Sequence, residues 1–315
     1  MYAAGKNNAG QLGLGGGKRL GSSTEDQHEF VVISCTRGKR FCHVSTGGNI
    51  TIATTDRHEV YVWGGLGLGP SGLHDNQRSM YGTPQLIEKL NGEEIIAASM
   101  GASHACASSV GGDLFVWGRT GCPKNYEKNT PQPKYLAATI GGGRGVAAVN
   151  CGEMHTCVRT HENEAFTWGH GANGRLGREG SDHAPCLVRL PSPSAAVRLI
   201  ACGSEHTLLC TQLTVYSFGC GDGGRLGHGD CSDRHEPCEI DALKGSYPLS
   251  ISAGIWHSAC VLHVAPLHES GWLWTWGSGF QGQLGQNQTC RASTPTLVQD
   301  FVNEGLSVKE VFCGR

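Results

Sequence analysis

The chain has no run of 18 apolar residues, so no membrane-spanning helix is written into it. It has no excess of one charge: 25 Lys and Arg stand against 27 Asp and Glu, a net charge of −2. A surface that sits on nucleic-acid phosphates ordinarily carries a basic excess, so direct binding to nucleic acid is not expected. Two short basic clusters, Lys18-Arg19 and Arg37 with Lys39-Arg40, read as solvated loops. The 15 cysteines contain no C-x-x-C pair, and residues 1–8 offer neither the basic start nor the apolar stretch of a secretory signal. That excludes a disulfide scaffold and any zinc-ligand spacing. Most of the cysteines read as small buried hydrophobes of a reducing, intracellular compartment, cytoplasmic or nuclear. Cys151, Cys202 and Cys313 fit this, each preceding a repeated Gly where other copies carry Ala, Met or Thr. There is no G-x-S-x-G elbow and no pair of carboxylates in an apolar setting. Ser181-Asp182-His183 are chain neighbours whose side chains point apart, not a triad. No covalent chemistry, cofactor or metal is expected, and no stretch of ten residues has the pattern of an amphipathic helix.

What the chain does have is glycine, 48 residues of it, placed periodically. Aromatic-glycine pairs occur at Trp63-Gly64, Trp117-Gly118, Trp168-Gly169, Phe218-Gly219 and Trp276-Gly277, with the glycines 54, 51, 50 and 58 residues apart. Ala4-Gly5 is a degenerate earlier copy, 59 residues before Gly64. A short alternating β-branched and aromatic segment precedes each pair, such as Val60-Tyr61-Val62 or Val215-Tyr216-Ser217, and this is strand chemistry. A Gly-rich loop follows: KNNAGQLG (6–13), HGANGRLG (170–177), CGDGGRLG (220–227) and SGFQGQLG (278–285), with departures at 65–72 and 119–126. A Pro-led strand comes next, at Pro84, Pro185, Pro237 and Pro295, the Pro expected at its start. An apolar strand then ends in Gly-x-x-His at Gly101–His104, Gly152–His155, Gly203–His206 and Gly254–His257; the first copy is Gly47-Gly48-Asn49-Ile50. A further strand completes the unit.

Four short antiparallel strands repeated every fifty residues or so make one blade of a β-propeller, which buries its faces only against neighbouring blades. The expected fold is all-β, a propeller of four-stranded antiparallel blades, with about six blades present. The chain reads as one propeller domain, 1–315, in units of about 1–58, 59–112, 113–163, 164–213, 214–271 and 272–315. Trp63, Trp117, Trp168, Phe218 and Trp276 read as blade-packing residues. His104, His155, His206 and His257 read as turn-holding residues, bonded to backbone, rather than a metal ring. Gly169-x-Gly171-x-x-Gly174 and its two later copies match a dinucleotide fingerprint, but no helix follows to face a pyrophosphate.

Those motifs resemble the repeat of the regulator of chromosome condensation family, V-x-x-V-x-x-G-x-x-H-[ST]-x-x-L, then V-Y-x-W-G-x-N-x-x-G-Q-L-G, then P-x-x-V, over residues 1–315. The resemblance implies seven blades. The count here falls short and implies a fragment lacking its closing blade; the alternative is an unusual ring closure. It also implies a monomeric protein-interaction propeller, alone or inside a larger protein such as a ubiquitin ligase, with the partner on the rim of Gly-x-x-His turns. The rim residues are Asn49, Ser103, Glu153, Met154, Ser204, Glu205, Ile255 and Trp256. The alternative reading is guanine-nucleotide exchange on a Ran-like small GTPase, in which Glu153 is the acidic residue that matches the family's exchange position. The candidate for the exchange factor's β-wedge, residues 119–130, is short. A light-sensing reading, as in the family's ultraviolet-B photoreceptor, would need several Trp-bearing turns; only one turn carries a Trp, Trp256, and it is one place off.

Overall fold

The computed structural model describes residues 1–15, 25–65, 73, 80–118, 130–136, 140–180, 182–192, 195–263 and 270–314. Lys18-Arg19, Ser181 and all or most of the loops 65–72, 119–126 and 119–130 lie outside the described residues.

The polypeptide opens with a two-stranded antiparallel sheet, β1 (Tyr2–Gly5) and β2 (Gln27–Val32). Five four-stranded sheets follow, each keeping chain order. The first is β3 (Phe41–Gly47), β4 (Ile50–Thr55), β5 (Val60–Gly64) and β6 (Tyr81–Leu86). The second is β7 (Ile95–Met100), β8 (His104–Ser109), β9 (Leu114–Gly118) and β10 (Thr130–Tyr135). The third is β11 (Val146–Cys151), β12 (His155–Thr160), β13 (Ala165–Gly169) and β14 (Asp182–Leu187). The fourth is β15 (Leu199–Cys202), β16 (His206–Cys210), β17 (Val215–Gly219) and β18 (Arg234–Glu239). The fifth is β19 (Pro248–Ala253), β20 (His257–His263), β21 (Gly271–Gly277) and β22 (Ala292–Leu297). These are propeller blades. Each joins the second half of one sequence unit to the first half of the next.

Among the described residues the count of about six blades is corrected to five. The first repeat copy, around Gly5, supplies only the two strands β1 and β2. The last Gly, Gly314, ends a segment that forms no strand, although Val311 and Cys313 donate their N–H groups to Ser250 and Ser252 Oγ at 3.2 and 2.8 Å.

Prolines also sit differently from expectation. Pro84, Pro185, Pro237 and Pro295 are each the fourth of six residues in the edge strand, not the first. In each case the ladder slips opposite the aromatic residue: Val62 pairs Gln85 while Gly64 already pairs Tyr81. The irregularity absorbs the missing N–H, and an edge strand has no second neighbour to need it.

Among the described residues the chain divides into two compact units between Cys151 and Gly152. In the first unit β7 packs on β3 and β4, and Ile52, Val62, Ile87, Leu90, Ile95, Met100, Phe115 and Trp117 share one buried cluster. In the second unit β19 packs on β15 and β16, and Leu208, Val215, Ile240, Leu243, Cys260, Leu262 and Trp276 share another. The alternation within strands puts every second side chain into a seam between blades, so β4, β5, β8, β9, β13, β16 and β17 are buried throughout, whereas β3 of the first sheet and β21 of the fifth keep exposed or half-exposed residues.

The pair's glycine has a mechanical reason. Gly219 has φ 114°, and a Cβ on it would meet the Glu205 carbonyl oxygen at 2.5 Å. Its partner across the ladder is His206, so the strand end and the turn press together at that point. The aromatic before the glycine is sealed: Trp63, Trp117, Trp168, Phe218 and Trp276 are all at most 1% exposed. Trp276 Nε1 also donates to the Arg225 carbonyl at 2.9 Å, as Trp63 Nε1 does to Gln11 at 2.9 Å.

Replacing Trp276 with Ala is expected to lower the unfolding free energy by roughly 3–5 kcal/mol. Trp276→Phe should cost about 1 kcal/mol, since the Arg225 carbonyl keeps a second donor. Urea unfolding of the two variants checks both values.

Candidate functional site

The Gly-x-x-His turns begin as backbone hairpins. Gly203 N–H donates to the His206 carbonyl at 2.9 Å, and Gly152 to His155 and Gly254 to His257 do the same at 2.9 Å. The imidazole lies over the glycine: a Cβ on Gly203 would meet His206 Cε1 at 2.3 Å. The histidine side chain reaches onward, not back to the backbone as expected from sequence. His155 Nε2 meets Thr207 Oγ1 at 2.9 Å and His206 Nε2 meets Ser258 Oγ at 2.8 Å. Each hydroxyl donates its only proton to a loop carbonyl, Thr207 to Arg175 at 2.9 Å and Ser258 to Arg225 at 2.8 Å. The imidazole must therefore donate through Nε2–H, and Nδ1 is the unprotonated nitrogen. Burial, helped by the charges of Arg225 and His257, pushes the His206 pKa down to about 3. Burial lowers His257 as well.

In the first unit, Asn49 is exposed, Ser103 is half-buried, and His104 is buried. The Asn49 carbonyl accepts from Gly65 N at 2.8 Å. Ile50, in the His slot, is buried in the apolar cluster between blades, so the missing imidazole is replaced by packing.

In the second unit the turn residues form a connected polar layer. Ser204 Oγ donates to the Glu153 carboxylate. Glu205, with 34% of its side chain exposed, takes a 2.8 Å bond from Arg175 Nη2 and lies 3.9 Å from Arg225 Nη1. Both guanidiniums are buried, at 3% and 0% exposure. Arg175 also donates through Nε to the Ala172 carbonyl at 3.0 Å. Arg225 donates to the carbonyls of Asp222 at 2.7 Å and Ile255 at 3.0 Å, and stacks 4.1 Å from the Trp256 ring centroid. Burial pulls the Arg225 guanidinium below its usual value, while Cys220, Glu205, Asp222 and Asp233 pull it back up. Trp256 is 45% exposed and Met154 51%. Ile255 is half-buried.

Thus Ser204, Glu205, Ile255 and Trp256 are brought into one arrangement with two residues that sequence reasoning passed over, Arg175 and Arg225. Both sit in Gly-rich loops that read as turn chemistry. The available signal was the Gly-Arg-Leu-Gly of these two loops against Gly-Gln-Leu-Gly elsewhere. Where Gln stands, its amide oxygen folds back locally, Gln11 onto Ala9 N–H and Gln283 onto Gln281 N–H, both at 2.8 Å. An Arg instead spans to the turn of the following blade. Its partner Glu205 is consequently committed inside the protein. Among the described residues no group of His, Cys, Asp and Glu is arranged to hold a metal, and no helix is long and apolar enough to cross a membrane.

Glu205→Ala removes the carboxylate that is paired with buried Arg175 and faces buried Arg225. The expected loss is roughly 2 kcal/mol, less than the 3–5 of a fully buried pair because Glu205 keeps a third of its side chain in water. Chemical denaturation measures it. Folded His206 binds its proton only near pH 3, whereas an unfolded imidazole does so near 6.5. The folded state thus holds fewer protons, and stability is full above about pH 6.5 and falls as pH drops towards 3. Denaturation midpoints should decline through that window, and His206→Asn should flatten the decline.

The profile of the RCC1-like domain matches residues 1–315. The chain is 31% identical to the human E3 ubiquitin-protein ligase HERC2 over 100% of its own length, and spans only 6% of that relative. It is 30% identical to the ultraviolet-B receptor UVR8 of Arabidopsis thaliana, covering 98% of this chain and 68% of the receptor. The solved structure of yeast RCC1 (Prp20) bound to Kap60 superposes with a TM-score of 0.79 at 21% identity, covering 99% of this chain and 74% of that one, a likeness of fold.

Proposed function

The chain belongs to the RCC1-like domain family, and from that premise we propose that it is a protein-binding propeller whose rim of Gly-x-x-His turns grips a protein partner. The observation that carries this is Trp256. It is 45% exposed at the second variable position of its turn, and one face lies on a fully buried Arg225. Arg225 is itself fixed by two carbonyls and faces Glu205. A large aromatic held in one orientation loses little freedom on binding, which is what an interface anchor requires. Met154, on the turn two blades earlier, adds a second exposed apolar group, adaptable in shape. Arg175 and Arg225 are offset by the Glu205 and Glu153 carboxylates of the same layer, so the anchor selects its partner through aromatic and apolar contact rather than through net charge. The small share of the ligase that the chain spans fits a recognition module within a longer protein.

Trp256→Ala should weaken partner capture roughly tenfold or more. Leu213→Ala, 48% exposed in the hairpin at the far end of β16 from the 203–206 turn, should leave it unchanged. Quantitative affinity capture with the three proteins decides this, and equal capture by Trp256→Ala would remove the rim from the account.

Guanine-nucleotide exchange on a Ran-like GTPase is the second reading, and Glu153 favours it. It is an acidic side chain at the first variable position, half-buried and oriented by Ser204. Accelerated nucleotide release that disappears in Glu153→Ala would establish it. Release at the uncatalysed rate excludes it.

A further inference from the structure

Each Gly-rich loop ending in Leu-Gly receives a hairpin of the blade that follows it. The Gln11 carbonyl accepts from Thr51 Oγ1 at 3.0 Å and from Trp63 Nε1 at 2.9 Å. The Arg225 carbonyl accepts from Ser258 Oγ at 2.8 Å and from Trp276 Nε1 at 2.9 Å. The glycine that closes the loop lies against the aromatic. A Cβ on Gly13 or Gly227 would meet the indole nitrogen of Trp63 or Trp276 at 2.9 Å, and one on Gly177 would meet the Phe218 ring at 3.1 Å. Hydroxyl and aromatic face each other across one ladder, Thr51 with Trp63, Thr207 with Phe218 and Ser258 with Trp276.

The loop at 278–285 ends in the same Gly-Gln-Leu-Gly as the loop that holds Thr51 and Trp63. Among the described residues no group bonds its Gln283 carbonyl. The nearest atom to a Cβ on Gly285 is Val298 Cγ1 at 3.8 Å, and Gly285 is exposed where Gly13, Gly177 and Gly227 are buried. His257 lies over Gly254 as His206 lies over Gly203. Its Nε2 meets no hydroxyl among the described residues, whereas His155 and His206 reach Thr207 and Ser258. His257, Gln283 and Gly285 line one cleft of about 860 Å³ with Phe280 and Phe312, which are 68% and 80% exposed. Cys313 N–H donates to Ser252 Oγ at 2.8 Å, as Met100 and Cys151 donate to Ser45 and Ser99 at 3.1 and 2.9 Å, so this segment lies where the innermost strand of a blade lies. The open place beside it has the shape of a blade's second and third strands.

We infer that this cleft docks a β-hairpin of a partner protein in which a Ser or Thr stands across the ladder from a Trp or Phe. His257 Nε2–H donates to the hairpin hydroxyl, and the hydroxyl donates to the Gln283 carbonyl. The aromatic ring covers Gly285. The two groups left without a bond are thereby satisfied together, and the exposed phenylalanines are covered. A second copy of this chain has no such hairpin to give: from Thr51 and Trp63 to Ser258 and Trp276, the hydroxyl and aromatic of each described hairpin of this kind are at most 7% exposed. The inference does not rest on the rim reading, since His257, Gln283 and Gly285 are not rim anchors.

The probe is a synthetic peptide of residues 50–64, the hairpin that the matching loop receives. It is closed head to tail through an Asn-Gly turn, because Ile50 pairs Gly64 and an open hairpin is marginal in water. Titration of the full chain with the labelled peptide, read by fluorescence anisotropy, should saturate, with hydrogen–deuterium protection at 278–285 and 311–313. A peptide carrying Trp63→Ala should bind roughly tenfold more weakly, and one carrying Thr51→Val roughly fivefold. His257→Phe in the protein should weaken the unaltered peptide similarly, and its loss combined with Thr51→Val should fall short of the sum of the two. No binding, equal binding of the Trp63→Ala peptide, strictly additive losses, or protection at 6–13 instead would each overturn the inference. So would concentration-dependent protection of 278–285 in the chain alone, which would assign the cleft to a second copy. The peptide variants decide the matter on the unaltered protein even if His257→Phe does not fold.

Discussion

The structure depends on one relay of hydrogen bonds repeated between blades. An imidazole donates to the hydroxyl of the next blade, and that hydroxyl donates to a loop carbonyl returning from the first blade. Where the aromatic of the pair is Trp, its indole N–H can join the same carbonyl, as Trp276 joins Arg225. Every member is buried, so each would cost a desolvation penalty if its partner were removed. The relay also explains why His206 stays neutral far below the usual imidazole range: a charged ring there would have no second acceptor at Nδ1, which lies over Gly203.

That relay sets where the rim can be. The carbonyl that closes it belongs to Arg175 or Arg225, so the same residue ties the seam with its backbone and reaches the turn with its side chain. Seam and surface are therefore mechanically one object in the second unit. Glu205 spans both cations, Arg225 supports Trp256, and the exposed aromatic stands on a buried base held by two carbonyls. A binding surface made this way is stiff before any partner arrives.

Much of this was legible in the sequence, and the parts that were not have physical reasons. The aromatic-glycine period marked the third strand of every blade, because only glycine tolerates φ near 110° against the His206 or His257 backbone. The blade count was less legible, since a repeat copy can be recognised from Gly5 or Gly314 without supplying four strands. Pro237 looked like a strand start because the ladder irregularity that shelters it leaves no mark in the sequence. The Arg225–Trp256 and Arg175–Glu205 contacts join residues about thirty apart on successive blades, a separation that strand periodicity does not encode. Glu205 therefore read as a partner-facing rim residue, whereas its carboxylate is paired with Arg175 and faces Arg225.

The central claim is that the rim turns are rigid because the relay holds them. Hydrogen–deuterium exchange of wild type and Ser258→Ala tests it directly, since Ser258 is the hydroxyl between His206 and Arg225. The account predicts faster exchange in the turn at 203–206 and the loop at 222–227, with the hairpin at 211–214 unchanged. Exchange that stays at wild-type rates in both segments, or rises equally across all three, would contradict it.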